Sequence, residues 1–194
     1  MRLASLALLL TLTSGAFLTA QNAPSGGWLD VPLSGWNRAG MAIPKGAAPR
    51  AALDAVIARC KLTALGSSPV ERAVSDAGWI AFLPFDRQVA EHGIEILGGM
   101  TDADDTCAPS KFTLFVFAGG AFAGTLSPDF MSPKIDGVAG AVRITGPDAI
   151  SAEYSRYSRT DPGCCPSSRV RVRFRVERSQ TQPVVVPLEL KVTR

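Results

Sequence analysis

The chain has 194 residues, 46% apolar and 19% charged, with 20 Lys and Arg against 17 Asp and Glu for a formal charge of +3. That length supports one domain with a sizeable core, and the composition is too apolar for a disordered chain and too weakly basic for a general polyanion binder. A single histidine, His92, excludes a zinc site that needs two.

The first segment predicts a signal peptide over 1–20. Arg2 gives it a positive start, Leu6–Leu12 a short apolar run, and Leu18-Thr19-Ala20 a small residue at the cut. The run falls short of the roughly 20 apolar residues that cross a bilayer, so no membrane span is expected in the mature chain. Cleavage near Ala20 leaves 21–194, with 19 bases against 17 acids. No cysteine lies behind the cut, so a lipidated N-terminus is not expected, and the chain reads as secreted or periplasmic.

Export places Cys60, Cys107, Cys164 and Cys165 in an oxidising compartment, where an even number favours disulfides over metal binding. No C-x-x-C spacing is present, so a zinc knuckle and a thioredoxin-type site both lack their geometry. Three pairings exist. A bond between the adjacent Cys164 and Cys165 closes a strained small ring, so the favoured arrangement sends each to a separate partner, Cys60 or Cys107.

Residues 21–49 carry four prolines among Gly, Ser and Ala and read as an extended arm, with residues 50–194 as a single domain. Trp28 and Trp36 are expected to pin the arm to that domain, with a ligand-stacking platform as the other use of two tryptophans. Leu53, Val56, Ile57 and Cys60 then fall on one helical stripe that turns Cys60 inward. Ser68, Pro69 and Glu71 form a second helix start, a cap with a first-turn proline and a capping-box acid, and Gly78 is its stop. Strand-like runs follow at 79–83, 94–99, 112–118, 121–126, 141–144, 149–157, 169–176 and 183–190. The run at 112–118 is apolar on both faces and is expected at a central position, and Gly119-Gly120 is a tight hairpin turn. The order predicts an α+β fold, N-terminal helices followed by a mostly antiparallel sheet stapled by disulfides.

Within this pattern, Cys107 with Pro109, the Phe-rich hairpin ending in Gly124-Thr125, and Asp161-Pro162-Gly163-Cys164-Cys165-Pro166 resemble the LppP/LprE lipoprotein family. The double-cysteine-proline loop leading into a strand is the most specific of these motifs, and the likeness extends from the Cys60 region to about Pro187. The resemblance implies an exported bacterial envelope protein. It departs from the family in one respect: those proteins are anchored through a lipidated cysteine behind the signal. It implies no catalytic residues.

The candidate binding residues are Arg169, Arg171, Arg173 and Arg175, which alternate with Val170, Val172, Phe174 and Val176. At a period of two, every guanidinium shares one face of a strand. Residues 154–194 hold 9 bases and 3 acids, against 10 bases and 14 acids over 21–153, so the small net charge conceals an acidic front and a basic tail. Such a face suits carboxylate- or phosphate-bearing envelope polymers, or serves only as a solvated strand face whose charges discourage edge pairing. Glu153 on the preceding strand is expected opposite one of the arginines. The face has no aromatic residues, which argues against nucleic acid.

Other constellations fall short of chemistry. Asp102, Asp104 and Asp105 do not follow the EF-hand pattern and read as an exposed turn. His92 has no G-x-S-x-G nucleophile to serve and reads as an exposed loop residue. No cofactor or metal is expected. The expectation is a non-enzymatic exported domain with a binding or structural role, its partner an acidic envelope polymer or another envelope protein. The alternative is a small secreted hydrolase using a carboxylate pair or His92.

Overall fold

A computed structural model describes residues 27–62, 68–82, 92–133, 136–158, 160–162, 165–178 and 182–193. The expected signal segment and Cys164 lie outside the described residues. Two short helices precede the strands. Helix α1 (Arg50–Cys60) starts behind Pro49 and ends at Lys61, whose φ of 49° closes it in the left-handed region. Helix α2 (Pro69–Asp76) carries the reciprocal capping box: the Glu71 N–H donates to Ser68 Oγ at 3.2 Å, and the Ser68 N–H donates to Glu71 Oε2 at 3.1 Å.

Among the described residues eight strands follow: β1 (Ile80–Phe82), β2 (Ile94–Ala103), β3 (Pro109–Ala118), β4 (Ala121–Thr125), β5 (Val138–Gly146), β6 (Ala149–Arg156), β7 (Ser168–Arg178) and β8 (Pro183–Thr193). They form two antiparallel sheets in chain order, β1-β2-β3-β4 and β5-β6-β7-β8. Gly119 and Gly120, at φ 59° and 79°, make the two-residue turn between β3 and β4. Only a residue without a Cβ takes both positions at no steric cost. The expectation of N-terminal helices and one sheet therefore holds in part. The molecule is mostly β, its described part opens on a 3-10 turn at Trp28–Asp30 and an extended arm rather than on a helix, and the strands divide between two sheets. The division follows from burial, because one sheet of eight strands would leave the two-sided apolar β3 without cover.

Alternation along the strands builds the layers. In β2 and β3, Ile94, Ile96, Met100, Phe112, Leu114 and Val116 join Tyr154, Val170, Val172 and Phe174 of the second sheet in one core, to which α1 adds Leu53 and Val56. The opposite face of the first sheet, with Leu97, Phe115 and Phe117, packs against Val70, Val74 and Trp79 at α2. Strand β3 is thus covered on both faces and flanked by β2 and β4, as its two-faced apolar run predicts.

The bridge joining α1 to the β2–β3 loop is Cys60–Cys107, with a sequence separation of 47. In the loop-entropy model a closure of that length contributes about 4 kcal/mol. This corrects the favoured pairing: Cys60 and Cys107 take each other, and neither reaches the 164–165 pair. The physical reason is proximity. Arg59, one residue before Cys60, donates to Ala103 O at 2.8 Å and to Asp104 O at 3.0 Å, so α1 is already clamped to the turn that carries Cys107. Cys165 is disulfide-bonded as well.

The two sheets meet where the edge strands β4 and β8 face one another. They form no ladder there. Instead the buried side-chain amide of Asn37, from the arm, donates to Thr125 O and to Val185 O, both at 2.9 Å, and accepts from the Thr125 N–H at 2.9 Å. One residue earlier, Trp36 Nε1 donates to Thr125 O at 3.1 Å. Gly124 allows the close approach: its φ is 132°, and a Cβ there would lie 2.3 Å from Asn37 Cγ. Beyond the seam the arm crosses to the α2 side, where Ile43 joins the second cluster and Trp79 Nε1 donates to Pro44 O at 2.7 Å.

Asn37→Ala deprives the Thr125 N–H and the Val185 carbonyl of a buried partner, and such groups cost roughly 1–3 kcal/mol each. We expect urea unfolding to show a loss of about 3 kcal/mol for Asn37→Ala, with Gly124→Ala at least as damaging. A loss within experimental error for both would show that the seam is held by something else.

Candidate functional site

The outer face of the second sheet is the open surface of the molecule that carries organised charge. Its inner positions, Val170, Val172, Phe174 and Val176, are buried, which forces Arg169, Arg171, Arg173 and Arg175 to the outside. Pairing register extends the row across strands. Arg143 on β5 lies opposite Ser151 on β6, which lies opposite Arg173, which in turn faces Glu189 on β8. In the next row Ala141, Glu153, Arg171 and Lys191 follow one another across the sheet.

Each arginine of the ladder has an acidic neighbour. Glu153 takes Arg171 at 3.0 Å and Arg169 at 3.6 Å, Glu189 takes Arg173 at 3.1 Å, and Glu177 takes Arg175. The expected cross-strand role of Glu153 is therefore present, with one carboxylate serving two guanidiniums. Between 54% and 64% of each arginine side chain is nevertheless in solvent. Pairs so exposed contribute about 0–1 kcal/mol, and a guanidinium with five N–H donors keeps most of them for another anion. Among the described residues, Arg143 and Lys191 make no ion pair. The face holds six cations against Glu153, Glu177 and Glu189, a surplus of three positive charges. Sequence reasoning missed Arg143 and Lys191, since their place beside the ladder depends on pairing register.

The loop leading into β7 is organised by Asp161. Its carboxylate accepts from Ser158 Oγ at 2.6 Å, the Ser158 N–H at 2.7 Å and the Ser167 N–H at 2.8 Å. The hydrogen bonds from Ser158, backed by Ser167, hold this carboxyl well below the usual range, so the loop keeps its ties until strongly acid pH.

The remaining candidates are placed apart from this face. In the turn at Asp104, the Asp104 carboxylate accepts from Thr106 Oγ1 at 2.7 Å and from the Thr106 and Ala108 N–H groups, both at 2.9 Å. Asp102 accepts from its neighbour Ala103, and Asp105 lies 4.0 Å from Arg59, so the three aspartates shape the turn that presents Cys107. No group of metal-ligating side chains converges among the described residues. His92 is exposed at φ 62° in the turn before β2, where its carbonyl accepts from Arg178 at 2.9 Å. Trp28 and Trp36 are turned onto the core, with Trp28 5.5 Å from Tyr154 and Trp36 6.2 Å from Phe174, ring centre to ring centre.

Three troughs on the surface carry carboxylates. One of about 610 Å³ contains Asp102, one of about 430 Å³ contains Asp129, and one of about 180 Å³ contains Asp30 beside Arg156. Each therefore holds a single carboxylate, where glycoside chemistry takes two. Glu95 on β2 behaves differently: partial burial, with the Glu71 carboxylate adding to it, pushes its carboxyl up. A raised folded value favours the protonated form, so its contribution to stability is full below the ordinary carboxylate range and is lost as pH rises through the raised value. Glu95→Gln should raise the melting temperature at about pH 7 and leave it unchanged at about pH 3. An equal gain at both pH values would mean that the charge is not the cause.

No curated protein and no solved structure matches the chain. The family described as LppP/LprE lipoprotein matches residues 96–179. That span is narrower at both ends than the motifs imply. It takes in the Cys107 turn, the Gly119-Gly120 hairpin, the Asp161 loop and the arginine ladder, and leaves out Asn37, Cys60 and the whole of β8. No helix among the described residues is long and apolar enough to cross a membrane. Over residues 96–179, rather less than half of its length, the chain is similar to the LppP/LprE lipoproteins, a likeness that suggests an envelope location.

Proposed function

We propose that the protein is a non-catalytic, exported envelope domain that meets an acidic envelope polymer on the outer face of β5–β8. The observation that carries this reading is the alignment of Arg169, Arg171, Arg173 and Arg175 on one exposed face, with Arg143 and Lys191 brought beside them by strand register. A four-stranded surface with a surplus of positive charge attracts an extended polyanion. The family likeness supports the envelope location. No specific observation among the described residues favours the hydrolase alternative, each of the three troughs described above offering one carboxylate.

The reading is tested on a phosphate-bearing cation-exchange resin. Arg171→Ser combined with Arg173→Ser should elute at clearly lower salt than the parent protein, while far-ultraviolet circular dichroism stays the same. Exposed positions tolerate such changes within about 0.5 kcal/mol, so folding is not at stake. Retention equal to the parent's would remove the face as the binding surface.

A further inference from the structure

The spacing of the ladder says more about the partner than its charge does. Alternate residues of an antiparallel strand lie about 6.8 Å apart, so the four arginines of β7 form a straight row about 20 Å long. Arg143 stands on one side of that row and Lys191 on the other, both without an ion pair among the described residues. Between Arg143 and Arg173 lies only the short Ser151 side chain, and Ala149 lies opposite Arg175, so the surface beside the row on its β6 side is low there. The row thus has cations at both margins, and its β6 flank is small beside Arg173 and Arg175 and acidic, at Glu153, beside Arg169 and Arg171.

Resting on the polymer-binding reading above, we propose that β7 is a multivalent reader of an extended phosphodiester chain with short, flexible links, each guanidinium taking one phosphate in turn. The spacing favours a phosphodiester over a glycan with one uronate per disaccharide, which sets its carboxylates two sugar rings apart, a longer and stiffer step than one alternate-residue interval. Glu189 is half-exposed and weakly held, whereas Glu153 is more sheltered at 23% exposure and is shared by two arginines, so it yields only to a ligand that engages several guanidiniums at once. Single-stranded nucleic acid has phosphodiesters too, but its bases find no aromatic side chain on this face.

The test measures the affinity of the full mature chain for poly(glycerol phosphate) oligomers of graded length, over a range of salt. Affinity should rise steeply up to about four phosphates, the length of the row, and then level off. Arg143→Gln and Arg171→Gln should each reduce the slope of log affinity against log salt by about 0.7, and Lys45→Gln, on the arm, should leave it unchanged. Glycerol phosphate monomer binding as tightly as the long polymer would overturn the multivalent row. Hyaluronate or oligo(dT) binding as tightly as poly(glycerol phosphate) would overturn the phosphodiester assignment while leaving polymer binding in place. If none of the three polymers binds, the polymer-binding reading itself fails.

Discussion

One primary amide closes this molecule. Strands β4 and β8 approach at the junction of the two sheets without pairing, and the side chain of Asn37 satisfies Thr125 and Val185 in place of a ladder. An amide suits the position because it offers donors and an acceptor from one planar group, so it can join two edges that are not in register with each other. A hydroxyl lacks the reach, and a carboxylate would bring a buried charge with no donor. The arm therefore belongs to the fold: it packs Trp28 and Trp36 in the shared core, crosses at Asn37, and reaches the α2 side at Ile43 and Pro44.

Closing the seam in this way decides which surfaces remain open. The first sheet is buried on both faces, by α2 on one side and by the second sheet on the other. The second sheet turns its apolar face to the shared core, so none of the described elements covers its charged face. Edge protection alone would be served by a few scattered charges. Four arginines in a row on β7, an interior strand of its sheet, are more than such protection requires.

How far the sequence revealed this depended on the range of each interaction. Local rules located both helices, because the stripe through Leu53, Val56 and Cys60 and the box at Ser68 and Glu71 involve neighbours a few residues apart. They also located all eight strands and the Gly119-Gly120 turn, and placed the arginines on one face, since a period of two needs no partner. What escaped was everything set by pairing over distance. The split into two sheets, the Cys60–Cys107 bridge and the neighbours of the ladder all depend on which strands meet and in what register. Asn37 was invisible for the same reason: in the sequence it is one polar residue in a polar arm, and its partners lie 88 and 148 residues away.

The central claim is that the outer face of β5–β8 is where this protein meets its partner. Nuclear magnetic resonance of arginine side-chain Nε–H groups, recorded while poly(glycerol phosphate) is added, tests it directly. The account predicts that the signals of Arg143, Arg169, Arg171, Arg173 and Arg175 move together, while the indole signals of Trp28, Trp36 and Trp79 stay in place. Shifts confined to those indoles, with the arginine signals unmoved, would contradict it and place binding on the arm and the first sheet instead.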